Sequence, residues 1–185
     1  MLNGRGSRVF GKDVVLHGVV FYRPGTVSTF NGDDTTYGEC ESRAFRDRLC
    51  ADEGEGAPVI EQSGQLVPVD DANPFTATNN TSSTRTRGWG GSAQVTVARA
   101  LAGRTNQFIA GASFDRGGSR YEADAEIARL TDTRGTAGTG IFDSNAAVRL
   151  ETTATHTGFY LADFFSIRER LTISGTARFT PSAID

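Results

Sequence analysis

Two runs of alternating apolar and polar residues, joined by a short turn, make up residues 89–114 and constrain the fold more than any other stretch. In the first run, Trp89, Val95 and Val97 alternate with Gln94 and Thr96. A period of two indicates an extended strand whose two faces meet different environments. The first run is therefore predicted to be a β-strand with one apolar and one polar face.

The second run repeats this pattern after a turn at residues 102–105. Phe108 and Phe114 alternate with polar residues. Gly103 lies among polar neighbours in the turn and provides the backbone freedom that a tight connection needs. Residues 89–114 are therefore predicted to form an antiparallel β-hairpin.

The composition excludes several classes of protein. Hydrophobic residues make up 37% of the 185 residues, which is low for a globular core of this size. The formal net charge of −3 argues against a nucleic-acid-binding surface, which would carry clustered basic residues. No apolar run is long enough for a membrane-spanning helix. A membrane protein built from strands remains compatible with the sequence, because its signal is alternation rather than a continuous apolar run.

Further strands are expected on both sides of the central hairpin. They are predicted at residues 14–22, 121–127, 147–167 and 171–179, with short turns at 11–13 and 168–170. An amphipathic helix over 122–130 is the alternative to the strand at 121–127, and the strand is preferred. Pro24 is expected to interrupt a central strand unless it lies at a bulge or near the strand's end.

Two long stretches without clear alternation separate the predicted strands, at about 31–88 and 116–147. The first contains eleven of the chain's 22 carboxylates. A loop of this length inside a compact domain is usually functional or folded on itself. Within it, residues 42–49 are predicted to form a short helix capped by Ser42.

Short and long connections alternate along the chain. In an up-and-down sheet, successive connections lie at opposite ends, so the short turns share one end and the long loops share the other. Outer-membrane barrels have this asymmetry. The strands at 89–101 and 147–167 are also longer than the five or six residues usual in soluble sheets, and they cover the 9–11 residues that a tilted membrane strand needs.

The predicted fold is therefore all-β, an antiparallel up-and-down meander that forms part of an open transmembrane β-barrel with long extracellular loops. A charged side chain is costly at the lipid-facing midplane and inexpensive near the interface. Arg99 lies on the apolar face only a few residues from the turn, where its side chain can reach water. The alternative is a soluble β-sandwich, which shows the same alternation and would suit a carbohydrate-binding module.

Several short sequence motifs, here called sequence words, resemble in their order and spacing the barrel domain of TonB-dependent outer-membrane receptors. The words are Val20-Phe21-Tyr22-Arg23, Asn31-Gly32-Asp33, the Cys40–Cys50 loop, Thr105-Asn106-Gln107, and the stretches 111–116, 132–135, 158–163 and 170–179. They cover nearly the whole chain, and their order and spacing are more specific than any single word. The resemblance implies a barrel of about 22 strands with a plug in its lumen. It also implies TonB-energised uptake of iron–siderophore complexes or another scarce nutrient.

The chain departs from this family in what it lacks. It has no signal peptide, TonB-contacting box or plug domain, and no aromatic residue at its end. About half a dozen strands cannot close such a barrel, and lipid does not tolerate an open sheet edge. We therefore expect residues 1–185 to be a fragment of a receptor barrel domain in the outer membrane of a Gram-negative bacterium. Its expected partners are outer-membrane lipid, the TonB complex through the missing plug, and a siderophore or nutrient, with no nucleic acid.

The resemblance places Cys40 and Cys50, the only cysteines, in an extracellular loop. A disulfide persists in such an oxidising location. Closing this short loop is worth about 3 kcal/mol by the chain-entropy argument. A metal site is disfavoured, because no second cluster of cysteine or histidine lies nearby. We therefore predict a disulfide and no metal.

No constellation of residues predicts catalysis. His17 and His156 are the only histidines, and no nucleophile motif accompanies them. Asp33-Asp34 and Asp70-Asp71 are pairs that could bind a cation, although a solvated acidic loop is the usual explanation for such pairs. We expect neither an enzyme nor a cofactor.

The barrel hypothesis assigns the alternating residues to two surfaces. The lipid-facing residues are predicted to be Trp89, Val95, Val97, Phe108, Phe114, Phe159 and Leu161. The lumen-facing residues are predicted to be Gln94, Thr96, Gln107 and Ser113. The long loops are expected to help capture the substrate.

Overall fold

The computed structural model describes every residue from Met1 to Asp185 and is built from nine β-strands without an α-helix. The strands are β1 (Leu2–Phe10), β2 (Val14–Asp34), β3 (Gly38–Glu39), β4 (Leu49–Cys50), β5 (Ala77–Ala98), β6 (Asn106–Leu130), β7 (Thr136–Arg168), β8 (Leu171–Phe179) and β9 (Ser182–Ile184). The prediction of an all-β fold is confirmed. The structure contains no helix with the length and apolarity needed to cross a membrane.

Seven strands form one antiparallel sheet in the order β1-β2-β5-β6-β7-β8, and β9 also pairs with β7. Strands β3 and β4 form a separate small sheet. In the large sheet, Phe10 lies opposite Val14 across the first turn, and Phe159 lies opposite Phe179. Strands that follow each other in this sheet are neighbours in space, so the predicted meander is confirmed. The sheet does not close into a barrel, and β1 forms one of its edges.

The predicted central hairpin is confirmed, with β5 and β6 as its arms. The backbone amides of Leu101 and Arg104 each donate a hydrogen bond to the other residue's carbonyl, at 2.9 and 3.0 Å. Between them, Ala102 and Gly103 have φ angles of 49° and 73°. Glycine adopts this left-handed conformation without a steric penalty, as the turn prediction requires.

The predicted loop at 116–147 is wrong. Strand β6 continues to Leu130 and β7 begins at Thr136, so residues 131–135 alone connect them. The glycines and polar residues of this stretch lie in strands whose neighbours supply backbone hydrogen bonds, and this pairing outweighs their weak strand propensity. The preferred strand at 121–127 lies within β6 and is confirmed.

The predicted loop at 31–88 is also shorter than expected, because β2 extends to Asp34 and β5 begins at Ala77. Pro24 lies within β2 and does not interrupt it. Strand β1 covers β2 only as far as Tyr22. Pro24 therefore lies where β2 has no β1 partner, a position in which a missing backbone N–H is tolerated.

Backbone contacts divide the chain into two compact units, which we describe separately. The first unit contains Met1–Gly25, Thr86–Ser119 and Glu151–Asp185, and the second contains Thr26–Arg85 and Arg120–Leu150. In the first unit, Gly90 and Gly158 are the only buried residues. The first unit therefore has no buried apolar side chain, and backbone hydrogen bonds between strands hold it together.

The second unit has an apolar core, to which the connection between β2 and β5 contributes most of the side chains. Leu49, Val59, Val67 and Phe75 come from this connection and pack against Ile127 of β6. The backbone amide of Leu49 donates a hydrogen bond to the carbonyl of Val67 at 2.8 Å. The backbone amide of Val67 donates in turn to the carbonyl of Val59 at 3.1 Å. Residues 35–76 are therefore folded on themselves, and we call them the folded loop.

The predicted disulfide between Cys40 and Cys50 is present in the folded loop. Both cysteines are buried, with 5% and 2% of their surface exposed. The predicted helix over 42–49 is wrong, because only a 3-10 turn at Arg43–Phe45 forms and the side chain of Ser42 does not cap it. Leu49 instead enters strand β4, where it belongs to the core.

Arg129 of β6 holds the C-terminal end of the folded loop. Its guanidinium donates to the carboxylate of Asp70 at 3.0 Å and to the backbone carbonyl of Asn73 at 2.9 Å. It also lies over the ring of Phe75, 4.7 Å from the ring centre. These contacts hold the folded loop against β6 at a second position, in addition to Ile127.

Replacing Ile127 with alanine is expected to loosen the folded loop. Truncating a fully buried isoleucine removes about 2–5 kcal/mol of stabilisation, because a cavity replaces its contacts. Hydrogen exchange at the amides of Leu49, Val59 and Val67 should accelerate accordingly. Leu130→Ala is the matched control, because Leu130 lies on the same strand and is 49% exposed. Equal protection in the two variants would contradict this account of the core.

Candidate functional site

Large apolar side chains share one face of the first unit's sheet and are exposed. Trp89 and Phe114 contact each other on adjacent strands, with ring centres 5.1 Å apart. Exposed fractions are 52% for Trp89, 52% for Phe159, 51% for Leu161 and 38% for Phe108. We call this surface the apolar face. No part of the chain covers it, although it carries most of the unit's large apolar side chains.

The remaining members of the predicted lipid-facing set follow the same strand alternation. Val95 and Val97 are half-buried and alternate with polar residues along β5. Leu161 lies opposite Ala177 in the pairing of β7 with β8, so the apolar face continues onto the last long strand. The structure therefore brings the seven apolar residues named from the sequence onto strands β5, β6 and β7 of one sheet.

The opposite surface, which we call the polar face, carries hydrogen-bonded side chains. Tyr160 donates its hydroxyl proton to the side-chain carbonyl oxygen of Gln94, at 2.7 Å. Gln94 in turn donates to the hydroxyl of Thr96 at 3.3 Å. Ser113 approaches Gly158 on the neighbouring strand. Of the four residues named from the sequence, Gln94, Thr96 and Ser113 take part in these contacts, and Gln107 is exposed without one.

An ion pair lies on the polar face between β2 and β6. Arg23 donates to the carboxylate of Asp115 at 2.7 Å, and both side chains are partly exposed. The same guanidinium lies over the ring of Phe21, 4.4 Å from its centre. Partly exposed pairs contribute about 0–1 kcal/mol. We therefore assign this pair a role in fixing the orientation of Arg23 rather than in stabilising the sheet.

Two aromatic rings on the polar face cover glycines. The ring of Tyr160 lies where a side chain on Gly111 would be, and the ring of Phe21 lies against Gly90. A glycine inside a strand loses packing, and an aromatic ring from a neighbouring strand restores it. Sequence reasoning missed Tyr160 and Phe21, although the glycines inside predicted strands marked positions of close approach.

The two pairs of aspartates at 33–34 and 70–71 do not form a candidate cation site. Asp70 is engaged by Arg129, and Asp33 accepts a hydrogen bond from the amide of Asp34. No group of three or more histidine, cysteine, aspartate or glutamate residues is arranged to hold a metal ion.

One ionisable group of the folded loop has a clearly shifted pKa. Burial, with a further contribution from the negative charge of Asp143, raises the pKa of Tyr37 above its ordinary value. A hydrogen bond with Thr35 acts in the opposite direction and is weaker. Tyr37 therefore stays neutral throughout the physiological range and serves as a packing residue beside the core.

Comparison of the chain with protein-family models, with curated proteins and with solved structures finds no match. The two faces of the sheet and the sequence words given above are therefore the features that bear on function.

The covering of Gly111 by Tyr160 leads to a stability prediction. In Gly111→Ala the new methyl group would collide with the Tyr160 ring, displacing it and breaking its hydrogen bond to Gln94. Overpacking of this kind costs about 1–3 kcal/mol. Urea unfolding should measure the loss of stability.

Gly175→Ala is the matched control, because a methyl group there meets no atom within 4 Å. The second check is Gly111→Ala in a Tyr160→Ala background, where the added methyl group has space and should cost much less. Equal destabilisation by Gly111→Ala and Gly175→Ala would contradict the role assigned to Tyr160.

Proposed function

We propose that this chain is part of a transmembrane β-barrel in a bacterial outer membrane. We further propose that the barrel belongs to an active-transport receptor of the TonB-dependent kind, which takes up iron–siderophore complexes or another scarce nutrient. The observation that carries the proposal is the exposed apolar face of the first unit. The resemblance of the sequence words to that receptor family supports the more specific part.

The energetics of the apolar face favour a lipid environment. Each square ångström of apolar surface removed from water contributes about 25 cal/mol. Soluble monomers rarely expose a contiguous apolar patch larger than a few hundred square ångströms, and larger patches usually mark a protein or membrane contact. Acyl chains would cover Trp89, Phe159 and Leu161 without any rearrangement of the strands. The polar face would then look into the water-filled or plug-filled interior of the barrel.

The open edges of the sheet also fit this proposal. Strands β1 and β8 each have nine residues, which is the length of a tilted membrane strand. Within lipid their free backbone groups would need partners. In the proposed receptor, further antiparallel strands would pair with both edges and continue the barrel.

The transport role assigns different tasks to the two units. The polar face, with Gln94, Tyr160 and Arg23, would line the lumen and hold polar groups of a plug or a solute. The folded loop, braced by its disulfide and its core, would stand on the extracellular side and contribute to substrate capture. Energy would reach the receptor through the TonB complex, as the family resemblance implies.

The alternative function, that of a soluble β-sandwich that binds carbohydrate, is less consistent with the fold than a membrane barrel is. A sandwich buries the inner faces of two packed sheets. Phe108 and Phe159 would belong to such an inner face, yet they are 38% and 52% exposed. The first unit therefore lacks the buried inner face that a sandwich requires.

Trp89 is the chain's single tryptophan and therefore reports directly on the apolar face. After refolding of the chain into phosphatidylcholine vesicles, Trp89 emission should shift to shorter wavelength and be quenched by lipids with brominated acyl chains. The matched control combines Trp89→Phe with Ser92→Trp, which moves the only indole to the polar face three residues away. That variant should be quenched weakly by the lipid and strongly by aqueous iodide.

Two outcomes would contradict the proposal. One is Trp89 emission that brominated lipids leave unchanged, and the other is equal quenching of the two tryptophan positions. A soluble monomer that sediments alone in the absence of detergent would favour the sandwich instead.

A further inference from the structure

Two arginines of the first unit border the apolar face beside its aromatic pair. Arg87 precedes Trp89 by two residues on β5, and Arg116 follows Phe114 by two residues on β6. Both are exposed. Neither side chain makes a hydrogen bond or an ion pair with another residue, in contrast to the side chain of Arg23, which is paired with Asp115.

Contacts on the polar face fix the side of the sheet on which these arginines lie. A side chain on Gly88 would point toward the guanidinium of Arg23, 3.9 Å away, so Gly88 faces the polar side. Asp115 also faces that side, because it bonds Arg23. Successive residues of a strand point to opposite faces. Arg87 and Arg116, each next to one of these two residues, therefore lie on the side of the apolar face.

The two arginines also lie at the same level of the sheet. The backbone carbonyl of Arg116 is 3.9 Å from the side-chain position of Gly88, and that of Arg87 is 4.0 Å from the side-chain position of Gly117. Their strands are neighbours in the sheet. Two guanidinium groups thus project from adjacent strands, next to the contact between Trp89 and Phe114.

The chemistry of this arrangement selects a phosphate. A guanidinium is always charged and presents a planar fork of donors that matches the oxygens of a phosphate. Tryptophan is enriched at the level of lipid headgroups, where one edge of the ring meets acyl chains and the other meets water. A cationic pair directly beyond such an aromatic contact lies where headgroup phosphates are found. The apolar face supplies the neighbouring surface for the acyl chains of the same lipid.

We propose that Arg87 and Arg116 bind the phosphate of an anionic lipid headgroup at the membrane surface. This inference rests on the membrane location proposed above and adds a preference for one class of lipid. It assigns a partner to two cationic side chains that have none within the protein.

Lipid selectivity at Trp89 tests the inference. The chain is refolded into mixed bilayers in which either phosphatidylglycerol or phosphatidylcholine carries the brominated acyl chains, and the ratio of the two quenching efficiencies gives the relative affinity. Basic residues near an anionic surface contribute an affinity of roughly fivefold each. We therefore expect a clear preference for phosphatidylglycerol near Trp89, decreasing as ionic strength rises.

In the double variant R87Q/R116Q, the ratio of the two quenching efficiencies should fall close to one. R87K/R116K should retain a reduced preference, because the charge remains and the bidentate geometry is lost. The matched control is R99Q/R104Q, which removes the same charge at the turn of the same hairpin and should leave the preference at Trp89 unchanged. Circular dichroism of each variant verifies that the strands are formed.

Each contrary outcome has its own meaning. Equal quenching by the two brominated lipids in the original chain would overturn the inference and leave the membrane location intact. A preference that R87Q/R116Q does not reduce would also overturn it. Absence of quenching by either lipid would overturn the proposed membrane location and this inference with it.

Discussion

Backbone hydrogen bonding between strands is the interaction on which the first unit depends, because this unit has no apolar core. Its only buried residues are Gly90 and Gly158. A ladder of this kind is strongest where water does not compete for the peptide groups. The lipid contact proposed for the apolar face would provide such an environment. Aromatic rings over glycines, such as Tyr160 over Gly111, add packing within the sheet without creating a core. The first unit has no apolar core. Its strands are therefore held by backbone pairing, and its apolar side chains remain exposed on one face.

The second unit reaches stability in the way that soluble domains do. Its folded loop buries Leu49, Val59 and Val67 against Ile127. The disulfide reduces the conformational entropy of the unfolded loop and so lowers the cost of folding it. Such a loop holds its shape independently of what surrounds the apolar face. In the proposed receptor, a rigid loop would present side chains to a ligand in water while the strands lay in lipid.

The strongly alternating parts of the fold could be predicted from the sequence, and the rest could not. The period-two pattern predicts Trp89 and Phe114 on one face, and their rings are in contact, because such a pattern reflects the two environments of a strand. Outside residues 121–127, the stretch 116–147 lacks that pattern and is predicted as a loop, although its glycines and polar residues lie in strands that pair with their neighbours. The core of the folded loop was missed for a related reason. Contacts such as Arg129 with Asp70 join residues far apart in the sequence, and no local pattern indicates them.

The most direct test of the two-faced sheet is spin-label scanning of residues 89–97 in bilayers. Single cysteines can be labelled because the native disulfide is buried, and collision rates with oxygen and with a water-soluble nickel chelate are measured at each position. The account predicts a period of two, with oxygen access highest at 89, 95 and 97 and chelate access highest at 92, 94 and 96. Accessibilities that do not alternate along β5, or a chelate that reaches both faces equally, would contradict it.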